Sequence, residues 1–470
     1  MSSTLASSTT GAHAASARTG ESRARQRRRP GRHSARSARV LRAVLVLGFV
    51  GVLAMWWSAT PASFASTPSA LAAAVSELSG LLGGYLACLQ LLLVARMPWF
   101  ERAVGLDRLI GWHRVVGPST LLLIIGHVVL IVFSTALASH DTVWGGLVTT
   151  LQSYPDMLTA LVGTIAFLAV GFSSIRRVRA LLPYELWYWL HLTTYAGIFL
   201  TFFHQLSAGP AFLGSPFYRF VWLALYLGTA AAVITWRFVL SAWDAWRHRM
   251  RVAAVVDEGT GTISVWLRGE RLGDRDVRAG TFMIFRFMAW GHLLTAHPYS
   301  ISRTPQDDHL RITIGGLGDH SRALRNISAG TLVFAEGPFG HFTAERSSRN
   351  NALLIAGGAG IGPICALAKE LAAAGRDVVV LYRARSADRL ALAAELAGTG
   401  GVRLIPLLGA RERLGFDPLA PDAIMAAVPD ARDREAFICG SPGMADRAHS
   451  SLRRLGVSAR HIHTEELSMS

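Results

Sequence analysis

Long apolar runs fill the first half of the chain, and short alternating runs fill the second half. Six apolar runs are each long enough to cross a bilayer as a helix. They lie near residues 40–57, 71–96, 113–137, 156–175, 184–206 and 217–240. From about residue 248 to about residue 345, hydrophobic and polar residues alternate as they do in paired strands. From Asn351 a buried strand, a glycine turn and a helix follow one another, which predicts a parallel sheet.

This pattern predicts a six-helix transmembrane bundle over 40–245, an antiparallel β-barrel over 248–346 and an α/β doubly wound domain over 350–470. Residues 1–39 are rich in Ser, Ala and Arg and lack apolar periodicity, so they are predicted to form a disordered basic tail on an anionic membrane surface. The alternative for the tail and the first run is a cleavable targeting peptide. The first run is long for a signal peptide and five more apolar runs follow, which favours a retained span.

Charge changes this picture by orienting the runs. The net charge of +16 would suit a nucleic-acid partner, but the arginines concentrate in the tail and beside the apolar runs, so the predicted partner is the lipid bilayer. Arginines follow the second, fourth and sixth runs, whereas the connections near 58–70, 138–155 and 207–216 carry none. Arginine-rich loops stay on the cytoplasmic side. Both termini are therefore predicted to be cytoplasmic in a multi-pass protein of the cell membrane.

Four histidines in the third and fifth runs are candidate metal ligands. His113 and His127 are 14 residues apart (127 − 113), and His191 and His204 are 13 apart (204 − 191). At about 1.5 Å per residue, each spacing covers roughly 20 Å of helix, which is most of a bilayer core about 30 Å thick. Two such helices can bind two stacked haems, each iron taking one imidazole from each helix. The predicted orientation puts His113 and His191 at the inner level and the other two at the outer level.

The helical geometry leaves two alternatives for the fifth run. Thirteen residues rotate an α-helix to about 140° from the starting face. The helix is therefore predicted either to be irregular near Gly197 or to lie between the haems and reach both. An ionisable group inside a membrane also suits a transporter or a sensor, whose histidines relay protons or bind a metal ion. The three cysteines form no CxxC pair, so no cysteine-ligated iron–sulfur or zinc site is expected.

The second half carries five motifs. HPYSIS (297–302) offers a tyrosine that can stack on a flavin ring and a serine that can bond to the edge of the ring. GDHS (318–321) offers donors for a phosphate, and EGPFG (336–340) closes the predicted barrel. GGAGIGP (357–363) follows a buried strand and opens a helix, as in loops that bind a pyrophosphate. CGSPGM (439–444) puts a thiol at the carboxyl edge of the parallel sheet, where ligands bind in such folds.

The end of the second parallel strand predicts the nucleotide preference, because the residue there contacts the adenosine ribose. The segment DVVVLYRARSADR ends with Arg383 and Arg385, and its first acid after the strand is Asp388. A guanidinium suits a 2′-phosphate, so NADPH is predicted to be preferred over NADH. The alternative is that these arginines are solvated loop charges.

Together, the histidine pairs, HPYSIS, GGAGIGP and CGSPGM resemble the ferric reductase and NADPH oxidase superfamily of membrane flavocytochromes, over about residues 40–470. The resemblance implies FAD, two b-type haems and NAD(P)H as cofactors. It implies that His113 and His191 bind the inner haem and that His127 and His204 bind the outer haem. It also implies that FAD is held by His297, Tyr299 and Ser300, with Gly318 and Ser321 near its phosphates. NAD(P)H would be bound by Gly357, Gly358, Gly360 and Gly362, with Cys439 and Gly440 near the nicotinamide, and Ser300 and Cys439 would have catalytic roles.

The implied activity is electron transfer from cytosolic NAD(P)H to an acceptor outside the membrane, either a ferric chelate or oxygen. The alternative within the same class is a reductase that feeds a partner membrane or periplasmic protein. Superoxide-producing members carry a further histidine where this chain has Ile131, which argues against oxygen. The family's aromatic residue near the carboxyl terminus is replaced by Leu467, so the family's nicotinamide gating is not carried over.

Overall fold

The computed structural model describes residues 31–259, 261–315, 319–409 and 414–466. Residues 1–30 of the predicted tail, Gly318 and Leu467 lie outside the described residues. The first half is helical, with α1 (Gly31–Ala59), α2 (Pro68–Val94), α3 (Pro98–Val104), α4 (Leu106–Ser139), α5 (Val143–Ser153), α6 (Met157–Ser174), α7 (Arg176–Arg179), α8 (Tyr184–Ala208), α9 (Pro210–Gly214), α10 (Pro216–Ala232) and α11 (Leu240–His248). The first helix thus begins nine residues before the predicted span, since 40 − 31 = 9.

Within the described residues, five stretches of helix are long and apolar enough to cross a membrane. They are Ala38–Ala59, Pro68–Val94, Arg108–Ser139, Met157–Ser174 and Pro216–His248. Large apolar side chains such as Leu47, Leu122, Ile165 and Phe220 are exposed along them. Contiguous exposed apolar surface of this kind is covered by lipid in a membrane protein. By these features the chain is a multi-pass membrane protein.

The predicted fifth run forms a regular α-helix, α8, of 25 residues, which is not among the five stretches. Its Tyr, Trp, Thr, His and Gln side chains make it less apolar than its neighbours. The predicted irregularity near Gly197 is wrong, because the helix continues through this residue. Close packing accounts for the glycine instead: a Cβ on Gly197 would lie 3.3 Å from the Gly163 carbonyl oxygen of α6, and one on Gly163 would lie 2.8 Å from the Gly197 carbonyl oxygen. A π-helical turn, Val233–Val239, interrupts the last span between α10 and α11.

A six-stranded antiparallel sheet follows the helices. Its strands are β1 (Arg251–Asp257), β2 (Thr262–Arg268), β3 (Phe282–Phe287), β4 (His297–Gln306), β5 (His309–Gly315) and β6 (Val333–Phe339). The order is β1-β2-β5-β4-β3-β6, and Arg251 of β1 also pairs with Leu332, directly before β6. The two ends of the order therefore meet. Alternate residues such as Val265, Leu267 and Phe285 are fully buried between the strands, as expected for strands with one apolar face. A short helix, α12 (Asp319–Ala323), follows β5.

A five-stranded parallel sheet completes the described chain. Its strands are β7 (Asn351–Gly357), β8 (Asp377–Ala384), β9 (Val402–Leu408), β10 (Glu435–Gly440) and β11 (Ile462–Glu466), with α13 (Ile361–Ala373), α14 (Ala393–Ala397), α15 (Pro421–Ala427) and α16 (Pro442–Arg454) between them. The order is β11-β10-β7-β8-β9. Along β7, Leu354 joins a buried cluster with α13, and Leu353 joins a separate cluster with α16. Apolar cores thus cover both faces of this sheet, and for that reason its strands are almost continuously apolar.

The EGPFG segment joins the antiparallel sheet to the helices. Glu336 pairs with Arg96, which follows α2, and with Arg237 of the π-helical turn at 2.8 Å. The Gly340 amide donates to Glu101 Oε1 of α3 at 3.3 Å. Burial, together with the nearby positive charge of Arg237, lowers the pKa of Arg96 to about 9. The Glu336 carboxylate therefore lies between two arginines and stabilises their charges.

Candidate functional site

The four intramembrane histidines meet as two pairs, one from α4 and one from α8 in each. The ring centres of His113 and His191 are 6.0 Å apart, and those of His127 and His204 are 6.3 Å apart. These are the pairs predicted from the sequence. Because α8 is a regular helix, no break in it is needed to bring its two histidines to α4. The direction of each histidine side chain is sufficient.

The spacing of each pair fits a metal ion between the rings. A metal–imidazole bond is about 2 Å long, so two of them, plus the distance from each nitrogen to its ring centre, span about 6 Å. Among the described residues no cluster of three or more His, Cys, Asp or Glu could hold a metal ion. Each pair of imidazoles could supply two ligands to a metal ion, and the remaining ligands would have to come from a group other than these side chains.

The two α4 histidines are fixed by α2, in a way that leaves one ring nitrogen free. His127 Nδ1 lies 2.9 Å from the Ser76 carbonyl oxygen, and His113 Nδ1 lies 3.3 Å from the Gln90 carbonyl oxygen. A carbonyl only accepts, so Nδ1 carries the proton in both rings. The lone pair of Nε2 is then available for a metal, which is the arrangement common to metal-binding histidines.

Glycines let α2 approach α4 closely enough for these contacts. A Cβ on Gly80 would lie 2.7 Å from His127 Nδ1, and one on Gly83 would lie 3.2 Å from a side-chain carbon of Ile124. Sequence reasoning missed Ser76, Gln90 and Gly80. The one signal for the first two was their spacing of 14 residues (90 − 76), which equals that of the α4 histidines.

The outer pair opens on a cavity of about 590 Å³. Its walls include both histidines of the pair, His127 and His204, with Ile131 one turn further along α4 and Glu77 of α2. Ligand cavities in proteins commonly measure roughly 300–1,000 Å³. The Glu77 carboxylate accepts from the Ala211 amide at 3.3 Å, so it is fixed at the outer end of this cavity.

The predicted flavin residues lie together on β4 and α12. His297 and Tyr299 are two positions apart, with ring centres 6.2 Å apart, and Tyr299 stacks against Phe285 of β3. Burial raises the pKa of Tyr299 to about 12, and the Ser321 hydroxyl acts in the opposite direction. Ser300 is buried, opposite Phe282 in the strand register. The structure thus places Ser321 beside the strand that carries the other three.

The glycine loop follows β7 and opens α13, as the sequence predicted. Gly358 has a φ of +56°, a conformation that favours glycine. A Cβ on Gly360 would collide with the Cys439 carbonyl, and one on Gly362 would come within 3.6 Å of Ser302 of β4. Gly360 therefore allows close packing against β10, whereas a side chain at Gly362 would make only ordinary contact with the antiparallel sheet. Gly357 ends β7 and packs against Met444.

Cys439 and Gly440 end β10 beside the glycine loop. Cys439 pairs with Ala356 of β7 in the strand register and is fully buried. Burial raises the pKa of the Cys439 thiol well above its usual range. The thiol is therefore protonated near neutral pH, and it can position a ligand but cannot act as a thiolate nucleophile.

The two arginines after β8 differ in their surroundings. Arg383 donates to the carbonyl oxygens of Leu407, at 2.8 Å, and of Gly409. Its guanidinium thus binds the loop after β9. Arg385 is exposed at the end of the strand, where a nucleotide could reach it. The two arginines therefore have different surroundings, although the sequence predicted the same role for both.

The chain matches the model of the ferric reductase like transmembrane component family over residues 79–202. This range begins in α2 and ends in α8, and it contains His113, His127 and His191 but not His204.

Curated proteins also match. The chain is 30% identical over 229 residues to the ferredoxin reductase component of 3-ketosteroid-9-alpha-monooxygenase from Mycolicibacterium smegmatis, a match that covers 46% of this chain and 64% of that protein. It is 29% identical over 252 residues to the flavohemoprotein of Chromobacterium violaceum, covering 47% and 61%. The chain therefore spans less than two thirds of the length of these relatives. The cytochrome P450 reductase GcoB of Amycolatopsis is 24% identical, with a TM-score of 0.40, over 47% of this chain and 70% of that chain.

Proposed function

We propose that this chain is a ferric reductase-like membrane flavoprotein that passes electrons from cytosolic NAD(P)H through FAD and two b-type haems to an acceptor outside the membrane. The observation that carries the proposal is the meeting of four histidines as two pairs with ring centres 6.0 and 6.3 Å apart. A transporter or a sensor has no need for two such pairs at metal-binding distance.

Haem suits the two pairs because each offers two neutral imidazoles. His113 and His191 would hold the inner haem, and His127 and His204 the outer haem. When bound, haem iron supplies single-electron transfer, and the protein supplies axial ligands, an apolar surrounding and hydrogen bonds. The cavity of about 590 Å³ beside the outer pair supports this assignment for the outer site.

FAD and NAD(P)H are assigned to the two sheets. The relative from Mycolicibacterium smegmatis is named as a ferredoxin reductase component, which supports a flavin and a nicotinamide in this chain. Tyr299 would stack on the flavin, Ser300 would bond to its edge, and His297, Ser321 and Gly318 would complete its contacts. The glycines at 357, 358, 360 and 362 would approach the nucleotide pyrophosphate, and Cys439 and Gly440 would lie near the nicotinamide.

β4, which carries the proposed flavin residues, begins close to the membrane helices. This supports electron transfer from the flavin to the inner histidine pair. Burial lowers the pKa of His297, and the carboxylate of Glu185 in the first turn of α8 acts in the opposite direction. Glu185 precedes His191 by six residues (191 − 185), or about 9 Å of helix. The ion pairs of Glu336 with Arg96 and Arg237 attach the same sheet to the spans.

The membrane arrangement follows from the arginines between the spans. We assign α8 as a sixth span, because its two histidines meet those of α4 at both levels, so that α8 runs in the same direction as α4 and covers the same depth. Both termini and both sheets are then cytoplasmic. With the cell interior negative, outward electron transfer gains about 2.3 kcal/mol per 100 mV. A reporter fused at the carboxyl terminus should be cytoplasmic, and one in the 138–155 loop should be external; an external carboxyl terminus would contradict the mechanism.

The absorption spectrum of the purified full-length protein tests the function. Low-spin b-type haem bands together with flavin absorbance are expected, and their absence would favour the transporter or sensor. Vesicles test direction: NADPH added outside should drive reduction of a ferric chelate enclosed in inside-out vesicles. Haems that NADPH reduces, but that neither a ferric chelate nor oxygen reoxidises, would favour a reductase for a partner protein, the role that the reductase-component relatives suggest.

A further inference from the structure

We propose that α2 positions both α4 ligands through Ser76 and Gln90, and that Ser76 makes the outer haem a stronger reductant by polarising His127. The inference rests on the proposed haem ligation and adds two positioning residues to it. Both side chains are buried, at 0% and 8% exposure. Among the described residues, the Ser76 hydroxyl bonds only to His127 and the Gln90 side chain only to His113, although polar groups are costly inside a bilayer.

Each α2 residue makes a reciprocal contact with its histidine. Ser76 Oγ donates to the His127 carbonyl oxygen at 2.8 Å, and the Ser76 carbonyl accepts from His127 Nδ1 at 2.9 Å. Gln90 Nε2 donates to the His113 carbonyl oxygen at 3.2 Å, and the Gln90 carbonyl accepts from His113 Nδ1 at 3.3 Å. The side chain of each α2 residue thus holds the backbone of its histidine, and the backbone carbonyl of the same α2 residue holds the imidazole ring.

The outer contact contains one more acceptor than the inner contact. Ser76 Oγ also lies 3.1 Å from His127 Nδ1. The hydroxyl proton is directed at the His127 carbonyl oxygen, so this oxygen faces the ring with a lone pair. The Nδ1 proton of His127 is therefore shared between two acceptors of one residue. His113 has a single acceptor, and at a longer distance.

These hydrogen bonds act on the metal through the ligand. An imidazole whose Nδ1–H is held by an acceptor is a more basic ligand at Nε2. A more basic ligand stabilises ferric over ferrous iron and so lowers the reduction potential. On α8, the Nδ1 atoms of His191 and His204 make no hydrogen bond to the described residues. The tuning therefore comes from the α2 side, and it is stronger at the outer level, where the electron leaves the protein.

Redox titration of full-length Ser76→Ala in detergent tests the proposal. The outer potential should rise, by about 59 mV for each tenfold loss of preference for ferric iron, while the inner potential stays unchanged. The inner wave is identified in His204→Leu, which should retain the inner haem alone. Ser76→Cys keeps a weaker acceptor of similar size and should give a smaller rise. Gln90→Leu removes the side-chain hydrogen bond to the His113 backbone but keeps the Gln90 carbonyl as the acceptor for His113 Nδ1, so it should weaken retention of the inner haem and leave the outer potential unchanged.

Ser134→Ala is the matched control. Ser134 Oγ donates to the Ser69 carbonyl oxygen at 2.8 Å, so it joins the same two helices away from any ligand. This variant should move neither potential. Loss of the outer haem from Ser76→Ala, but not from the control, would also support the positioning role, because outer contacts of ligands commonly change metal affinity about 10–100-fold. Unchanged potentials, or equal shifts in the control, would overturn the inference. A wild-type protein without haem would instead overturn the proposed function.

Discussion

The membrane helices and the parallel sheet carry their candidate chemistry in opposite ways. In the helices, four histidine side chains meet across 6.0 and 6.3 Å, and the backbone only carries them. In the sheet, Gly358, Gly360 and Cys439 form the candidate site with backbone and buried atoms, and the exposed side chain is Arg385. A histidine is rare in a membrane helix, so its role can be predicted from the sequence. The role of a glycine depends on neighbours that are distant in the chain.

The largest expected effect is the loss of one haem from the helical half of the molecule. His127→Leu or His204→Leu should each reduce the haem-to-protein ratio from two to one, because an iron with one imidazole left is weakly held in an apolar site. Thr193→Leu, an exposed position on α8, should keep both haems. A ratio of two in both histidine variants would contradict the ligand assignment.

The next effect separates the two halves at their junction. Glu336→Gln leaves Arg96 and Arg237 close together without a carboxylate. The three side chains are only partly buried, so the cost should lie between about 1 kcal/mol, as for an exposed pair, and about 3 kcal/mol, as for a buried one. NADPH-dependent reduction of a soluble dye should persist, whereas stopped-flow reduction of the haems should slow at least about tenfold, which corresponds to about 1.4 kcal/mol. Glu345→Gln removes an exposed ion pair to Arg278 and is the control, since such pairs contribute little. Equal slowing in both variants would count against a docking role.

A smaller effect concerns the stability of the parallel sheet. Glu435 is fully buried and accepts from His463 Nε2 at 2.7 Å and from Ser348 Oγ at 3.1 Å. Burial would raise the pKa of Glu435, but these hydrogen bonds lower it to about 2. Its unfolded pKa is about 4.3, so its stabilisation is complete above that pH and is lost as the pH falls towards 2.

Glu435→Gln should therefore lower stability near pH 7 by about 1–3 kcal/mol and should flatten the pH dependence in that acid window. Hydrogen exchange of the β10 amides in the full-length protein measures both. An unchanged pH profile would show that Glu435 is not the group that titrates.

The smallest expected effect sharpens the contrast between the two arginines after β8. Arg385→Asp should reduce kcat/KM for NADPH about tenfold, or about 1.4 kcal/mol, while sparing NADH. Arg383→Asp should impair both nucleotides alike, because Arg383 binds the carbonyls of the loop after β9. Steady-state kinetics with both nucleotides measures the difference. A wild-type preference for NADH would refute the assignment.

The sequence predicted the helical half well, for a physical reason. Membrane spans require long apolar runs, and a histidine within one has few structural uses, so His113, His127, His191 and His204 could be paired by spacing alone. The alternation of strand residues likewise indicated where the soluble half begins. The regular course of α8 through Gly197 could not be predicted, because a glycine within a helix serves equally for a kink or for close packing.

The contacts that connect distant segments were beyond the sequence. Ser76 and Gly80 are ordinary residues for a membrane helix, and only the fold brings them to His127. Glu336 lies 240 residues from Arg96 (336 − 96), and no pattern along the chain connects them. Arg383 and Arg385 are two positions apart in sequence, yet Arg383 lies within β8 and contacts the β9 loop, whereas Arg385 lies just beyond the end of the strand and is exposed.

On the proposed haem assignment, the register between α2 and α4 also sets how many redox centres one membrane can contain. Moving seven residues along α2, from Ser69 to Ser76, moves the partner seven residues back along α4, from Ser134 to His127, as in a heptad repeat. Two full heptads then separate the histidine levels, which is about 21 Å of helix. A third level at the same interval would fall in water, outside a core about 30 Å thick. The thickness of the bilayer, rather than the length of the helices, thus limits this architecture to two centres in series.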